Sequence, residues 1–350
     1  MDNQLDLDLF RDILSIDSTS GKERWLAEYL CTRLLEADAG APGLPACTVR
    51  SFEVGDGTLN LLFSWGEPQV YFCTHLDTVP PYIPPVFLPD RVLGRGSCDA
   101  KGQLFSMFTA CRALEKKGLS GFALLLLAGE ETGSFGAKAY NRDCPGGAVV
   151  IVGEPTDNCM VSASKGTRSF GVTIHGTPCH SGYPEFGKSA VDGFVDFMQA
   201  LRGMDFPEDP LMGATTWNVG RLVSDNPQNI LSPEVRFRLY FRTTSSSADA
   251  VVRQVMGLCS NTVEIEDFGG DTPMTYFTQP GIPSKTVAFG SDAPRLEKFT
   301  RRAICGPGSI LCAHRDEEHI LLKDIEIAVD QYVRMAEACF SLLSDKTNLT

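Results

Sequence analysis

The sequence predicts an α/β protein of two domains, one inserted into the other, and three observations carry that expectation. At 350 residues the chain is longer than a single hydrophobic core usually organises. The continuous apolar runs Phe122-Ala123-Leu124-Leu125-Leu126-Leu127-Ala128 and Ala148-Val149-Val150-Ile151-Val152 have the pattern of parallel strands covered on both faces by helices. Near Val161 that pattern gives way to alternation, with Phe170, Val172 and Ile174 on one strand face and Thr173 and His175 on the other. The second region therefore holds a sheet with one wet side.

Taken in order, residues 7–16 predict a short helix. Ser20-Gly21-Lys22-Glu23 has the form of a capping box, opening a helix that carries Trp25, Leu26, Tyr29, Leu30 and Leu34 on one face. Residues 40–45 read as a loop, and strands are expected at 58–63 and 70–73. After Arg95-Gly96-Ser97-Cys98-Asp99-Ala100-Lys101-Gly102 comes a helix with Leu104, Met107, Phe108, Cys111 and Leu114 at helical spacing, ended by Gly118. Beyond residue 161 the order is a strand to His175, a helix (Val191, Phe194, Val195, Met198, Leu201), strands at 215–222 and 235–241, a helix (Val251, Val252, Val255, Met256) and a strand at 262–266. That order is βαββαβ, the ferredoxin-like arrangement. A Pro/Gly-bearing stretch after Asp271 leads to a strand at 302–305 and a last helix with Ile325, Val329, Tyr332, Val333, Ala336 and Phe340. The outer domain is thus expected at 1–161 and 272–350, and the inserted one at 162–271.

A formal charge of -13 argues against a nucleic-acid partner and against an anionic membrane surface, since no Lys/Arg stripe is present to neutralise phosphates. Apolar content of 43% is ordinary for a soluble globular chain. The twelve cysteines contain no C-x-x-C pair, and Cys73 and Cys111 sit inside apolar patterns, which reads as reduced packing thiols. Met1-Asp2-Asn3-Gln4-Leu5-Asp6 has neither a basic n-region nor an apolar h-region. The expected location is cytoplasmic.

The chemistry gathers where apolar runs end. Tyr71-Phe72-Cys73-Thr74-His75-Leu76-Asp77 closes a buried strand with a histidine and an aspartate pointing the same way, so His75 can offer a ring nitrogen to a divalent cation while Asp77 orients it. Glu130-Glu131 follows a second run and Glu154 a third. In open α/β sheets the crevice outside such strand ends binds ligands. Asp99 in a glycine-rich turn and His314 in Cys312-Ala313-His314-Arg315-Asp316-Glu317 complete a set of two imidazoles and several carboxylates, suited to a pair of Zn²⁺ or similar ions bridged by one aspartate. Side by side, Glu130 and Glu131 can divide the work, one binding metal and the other taking a proton from water. Taken alone, any one of these carboxylates reads as a solvated surface group; the ensemble reverses that reading.

Together H-L-D-T-V-P, G-S-C-D-A-K-G, A-G-E-E-T-G, G-E-P-T and A-H-R-D-E-E resemble the two-zinc amidohydrolase and metallopeptidase family of acetylornithine deacetylase, succinyl-diaminopimelate desuccinylase, aminoacylase and carboxypeptidase G, in the family's order. The resemblance implies a two-zinc exopeptidase-like catalytic domain with an inserted lid and dimerisation domain, hence a homodimer with two Zn²⁺ per subunit and Co²⁺ as a substitute. It makes Asp99 the bridging ligand, His75 and Glu154 the ligands of one zinc, Glu131 and His314 those of the other, Glu130 the general base and Asp77 the partner of His75. His180 matches the histidine that reaches a partner subunit's active site. Arg242, on the polar face of its strand, matches the arginine that fixes the substrate's α-carboxylate, assisted by Asn229. The implied substrate is a small N-acyl amino acid. N-acetylornithine, and so arginine biosynthesis, is the first expectation, and N-acetylcitrulline, N-succinyl-diaminopimelate and peptides follow it. Ser164-Lys165-Gly166-Thr167 stands where desuccinylases tend to carry Arg-Arg-Gly-Ser, which points away from a succinyl pocket.

Three competing readings come from other classes. Gly182-Tyr183-Pro184-Glu185-Phe186-Gly187-Lys188-Ser189 matches the P-loop pattern letter for letter, but a phosphate cradle should follow a buried strand directly and this one does not. In Gly94-Arg95-Gly96-Ser97-Cys98-Asp99 an aspartate stands where a dinucleotide fingerprint needs its third glycine. A metal-binding relative without activity is opposed by Glu130, which the resemblance leaves free of metal. His175 and His319 are read as a polar-face and a surface histidine, and Cys73 and Cys98 as packing residues.

Overall fold

The structure is a computed structural model that describes residues 5–37, 43–55 and 57–347; residues 40–42 of the expected loop lie outside the described residues. The chain runs α1 (Leu7–Ser15), α2 (Glu23–Ala37), β1 (Thr48–Gly55), β2 (Thr58–Trp65), β3 (Val70–His75), β4 (Val86–Phe87), β5 (Arg91–Leu93), α3 (Lys101–Lys116), β6 (Phe122–Leu127), α4 (Phe135–Asp143), β7 (Val149–Val152) and β8 (Met160–Ser164). It continues β9 (Gly166–His175), α5 (Ala190–Arg202), β10 (Thr216–Val223), β11 (Glu234–Thr243), α6 (Ala248–Met256) and β12 (Val263–Asp267). Last come β13 (Met274–Thr275), β14 (Ser284–Val287), β15 (Arg301–Ile304), β16 (His319–Leu321) and α7 (Leu322–Thr347). Two compact units result: Met1–Ser162 with Tyr276–Lys285 and Ser291–Thr350, and Ala163–Thr275 with Thr286–Gly290.

In the first unit six strands form one sheet in the order β1-β2-β6-β3-β7-β15. The continuous apolar runs are its centre, and β3 lies parallel to both β6 and β7. His75 pairs with Leu127, and Cys73 with Val152, so the three strands end at nearly one level and release His75, Gly129 and Gly153 side by side. β3 and β6 are buried along their whole length, as strands covered on both faces must be. Phe105 of α3 stacks on Phe10 at 4.7 Å between centroids, and Tyr332 of α7 meets Phe72 edge-on at 5.6 Å; these helices cover the sheet and fix its ends.

The second unit is a four-stranded antiparallel sheet, order β10-β11-β9-β12, with α5 and α6 packed on the face that carries Phe170, Val172, Ile174, Phe237, Leu239 and Phe241. This is the βαββαβ order read from the alternation. The P-loop resemblance has no counterpart in it. The N–H groups of Phe186, Gly187 and Lys188, which a phosphate would need, donate instead to Tyr183 O, Pro184 O and Thr177 O at 3.2, 3.2 and 2.9 Å.

Several local expectations differ from the structure. Ser20 does not cap α2: its hydroxyl donates to Asp77 Oδ2 at 2.9 Å, while Glu23 Oε2 accepts the Gly21 N–H at 2.7 Å. Trp25 is 77% exposed because the stripe that meets the core is Leu26, Ala27, Leu30 and Leu34, one residue around the helix from it. Val191 and Val195 are exposed although Ala190, Phe197, Met198 and Leu201 of the same helix are buried, so α5 carries two apolar rows and the unit buries one. β1, α4 and the short strands β4, β5, β13, β14 and β16 have too few apolar positions to stand out in the sequence, and His319 opens β16. The twelve cysteines are free thiols, with Cys73 and Cys98 buried. Among the described residues no helix is long and apolar enough to cross a membrane.

Candidate active site

Buried strands lead into turns at the C-terminal edge of the large sheet, and the turns carry the ligating groups. His75, the last residue of β3, is 1% exposed. Its Nδ1 lies 2.9 Å from the Asp77 backbone O and 3.4 Å from Asp77 Oδ1. The carbonyl can only accept, so Nδ1 carries a proton. Nε2 faces Asp99 Oδ1 at 3.1 Å. Besides facing His75, the carboxylate of Asp77 has a task the sequence did not show: Oδ1 accepts the Glu130 N–H at 3.0 Å, and Oδ2 accepts the Glu131 N–H at 3.1 Å and the Ser20 hydroxyl at 2.9 Å. It holds the turn after β6 against the turn after β3.

Two groups of donor atoms share Asp99. His75, Asp99 and Glu154 place one ligand atom each within 4.8 Å of one another, and so do Asp99, Glu131 and His314; His75 also forms such a group with Glu130 and Glu131. His314 Nε2 lies 3.3 Å from Asp99 Oδ2 and 2.9 Å from Glu131 Oε1. His314 is exposed, with its backbone at φ 63°, a left-handed conformation unusual outside glycine. Glu130 and Glu131 are half-buried, while Asp99 and Glu154 are buried.

The electrostatics call for cations. Burial raises Glu130, with Asp292, Glu131 and Asp99 adding to the rise against the opposing charge of His75. Burial likewise raises Glu154, and Glu130 and Asp99 add to it. Burial also works to raise Asp99, but hydrogen bonds from His314 and His75 outweigh it and hold that carboxyl low. His314 is pushed up to about 10 by its hydrogen bonds to Asp99 and Glu131. Glu154 Oε1 is buried without a hydrogen-bond partner, an arrangement too costly to leave uncompensated. Imidazole nitrogens and carboxylate oxygens around a shared aspartate are the donor set of a pair of borderline divalent cations, and the residues present fit that group.

Sequence reasoning missed Asp292, which belongs to this unit and is 1% exposed. Burial pushes it up to about 6 against the charge of His75. No apolar run precedes it, so no strand end pointed to it. The role of Ser20 was hidden behind its likeness to a cap. In the second unit, His180 Nδ1 accepts the Gly182 N–H at 3.1 Å. Asn229 is exposed and accepts the Ser181 N–H at 2.9 Å through its backbone O. Arg242, half-buried on β11 opposite Thr167, lays its guanidinium 5.2 Å from the centre of the Tyr240 ring.

Known proteins resemble this chain over most of its length. The sequence model of the family described as Peptidase family M20/M25/M40 matches residues 71–338. A protein of Aspergillus flavus named as a probable carboxypeptidase is 31% identical, over 95% of this chain and 87% of its own. Among solved structures, a tripeptidase from Staphylococcus aureus superposes with a TM-score of 0.78 at 18% identity, covering 95% of this chain and 96% of its own. An M20 family metallo-carboxypeptidase from Sulfolobus solfataricus does so with a TM-score of 0.66 at 15% identity, covering 93% and 97%. These likenesses identify the fold, one α/β unit with a second unit inserted in its chain.

Proposed function

The chain belongs to peptidase family M20/M25/M40, and from that premise we propose that it hydrolyses an amide whose amine side is an amino acid with a free α-carboxylate. An N-acyl amino acid and the C-terminal residue of a peptide both have that chemistry. The observation that carries the reading is the pair of donor groups meeting at Asp99 with Glu130 beside them. His75, Asp99 and Glu154 would hold one divalent cation, and Asp99, Glu131 and His314 the other, with Zn²⁺ the expected ion and Co²⁺ its substitute. Such a pair supplies Lewis acidity that polarises the scissile carbonyl and makes water nucleophilic near neutral pH.

The residues then divide the work. Glu130, tied through its N–H to Asp77, takes the proton from the attacking water and passes it to the leaving amine. Burial raises its affinity for a proton, which helps a carboxylate that must take the proton from water and hold it between the two steps. His180, contributed by a second copy of the chain, is the proposed donor to the oxyanion, and Arg242 with Asn229 the proposed reader of the α-carboxylate. The exposed row of Val191 and Val195 on α5 supports self-association through the lid. The curated relatives named as carboxypeptidases favour a peptide or blocked-peptide substrate, and N-acetylornithine is a member of the same chemical class.

One screen tests this. The zinc-loaded protein is incubated with N-acetylornithine, N-acetylcitrulline, N-succinyl-diaminopimelate and a Glu-terminated dipeptide, and free amine is measured. The expected result is release from at least one of them. Glu130→Gln should keep the metal content and lower turnover by two orders of magnitude or more. Full activity in that variant would refute the assignment of the base.

A further inference from the structure

Glu318 lies four residues past His314 and is fully buried. Its Oε1 accepts three backbone N–H groups from the turn that carries Asp99: Gly96 at 2.9 Å, Cys98 at 3.1 Å and Asp99 itself at 3.1 Å. Its Oε2 accepts Arg95 Nη1 at 2.6 Å, and Arg95 is also buried. The same guanidinium donates from Nη1 to Arg315 O at 3.1 Å and from Nε to Pro81 O at 3.2 Å. The two main chains are joined as well, since Gly94 N donates to Glu318 O at 3.0 Å.

Successive backbone N–H groups in a glycine-bearing turn form a concavity that receives an anion. Gly94 and Gly96 supply the positive φ values, 129° and 83°, that the turn requires. In many proteins such a concavity holds a phosphate; here it holds the chain's own carboxylate. One end of the tie is the backbone of Asp99, whose two carboxylate oxygens face His75 and His314. The other end is the segment that leaves His314. A change at Glu318 therefore reaches both donor groups through the residue they share.

We propose that Glu318 is a positioning residue: it clamps the Asp99 turn to the His314 segment, so that both donor groups are assembled before a cation arrives. The inference rests on the reading of Asp99 and His314 as metal ligands. Arg95 completes the clamp by balancing the buried charge and by holding Arg315 O, next to His314. Groups that orient metal ligands in this way typically change metal affinity by about 10–100-fold when they are removed.

The test uses the full chain, stripped of metal and titrated with Co²⁺ against a competing chelator, with visible absorption and backbone hydrogen exchange as readouts. Glu318→Gln keeps the side chain's size and one acceptor oxygen but loses the charge; Glu318→Ala removes the clamp; Glu317→Gln, an exposed neighbour, is the control. Wild type and Glu317→Gln should bind alike. Glu318→Gln should bind Co²⁺ about 10-fold more weakly or worse, with an altered visible band and faster exchange at Gly96, Cys98 and Asp99. If Glu318→Ala does not fold, Glu318→Gln decides. Wild-type affinity and an unchanged spectrum in Glu318→Gln would overturn the positioning role while leaving the proposed activity intact. Failure of the wild type to take up Co²⁺ would overturn the ligand reading, and this inference with it.

Discussion

Asp77→Asn separates the two tasks that the sequence and the structure give to Asp77. In the folded chain both carboxylate oxygens are engaged, by the N–H groups of Glu130 and Glu131 and by the Ser20 hydroxyl. An asparagine has one acceptor oxygen and a donor NH₂. Whichever way it turns, the NH₂ confronts one of the two backbone N–H groups, while Ser20 can rotate and accept. One donor is then left unsatisfied, at about 1–3 kcal/mol. The surviving bond loses its charge assistance, worth about 1 kcal/mol. The expected destabilisation is about 2–4 kcal/mol, measured by urea denaturation of the metal-free protein. A pH signature accompanies it. Burial works to raise Asp77, but the hydrogen bond and charge of His75, with the bonds from Ser20 and Glu130, hold it below the usual carboxylate range. Its contribution is thus complete above the unfolded value of about 3.9 and is lost as pH falls through the lower folded value. Asp77→Asn should flatten the acid side of the stability profile. A loss of stability under about 0.5 kcal/mol with an unchanged acid limb would show that this carboxylate does not hold the Glu130-Glu131 turn.

Three further outcomes concern His314 and Arg242. His314, raised to about 10 in the metal-free chain, must lose its proton to bind a cation, so metal uptake at pH 7 to 8 should release protons, visible as a dependence of the calorimetric heat on the buffer's ionisation enthalpy. By the same linkage, the stability it lends the metal-free chain is complete below its unfolded value and lost as pH rises through about 10; a His314→Gln variant should therefore differ most from wild type below about pH 6.5 in urea melts with chelator present. Arg242→Ala should raise KM about tenfold or more for a substrate with a free α-carboxylate, as the loss of a charge-assisted pair of about 1.5–3 kcal/mol requires, and much less for its carboxamide. Equal losses for both substrates would show that Arg242 shapes the lid instead.

The fold was legible wherever burial alone decides a residue's type. The apolar runs of β6 and β7 could only be doubly covered strands, and the alternation of β9 and β11 could only be a half-wet sheet. What was not legible depends on partners far away in sequence. Trp25 looks like part of the buried stripe of α2 until the angle at which Leu26, Leu30 and Leu34 meet the core is known. Val191 and Val195 satisfy the helical period as well as Phe197 and Leu201 do, and periodicity cannot say which row the unit itself buries. β1 pairs with β2 through the whole length of its backbone while its side chains remain mostly exposed, so hydrogen bonding rather than hydrophobicity holds it in place.

The site divides along the same line. His75, Glu130-Glu131 and Glu154 could be read because each stands just past an apolar run, where strand ends converge on a cleft. Asp99 and His314 joined the set by residue type alone and took their individual roles from the family resemblance, since a glycine-rich turn and a loop give no direction to a side chain. The groups that hold these residues had no signal in composition or spacing. Ser20 reaches Asp77 across 57 residues and Glu318 reaches the Asp99 turn across about 220, and both pairings are defined only when the sheet has brought the turns together. A ligand's identity is local chemistry, whereas its orientation is tertiary structure. Substitutions at Asp77 and Glu318 should therefore weaken metal binding although neither lies in the two donor groups that share Asp99, and that loss would distinguish a site built by the fold from one built by its ligands alone.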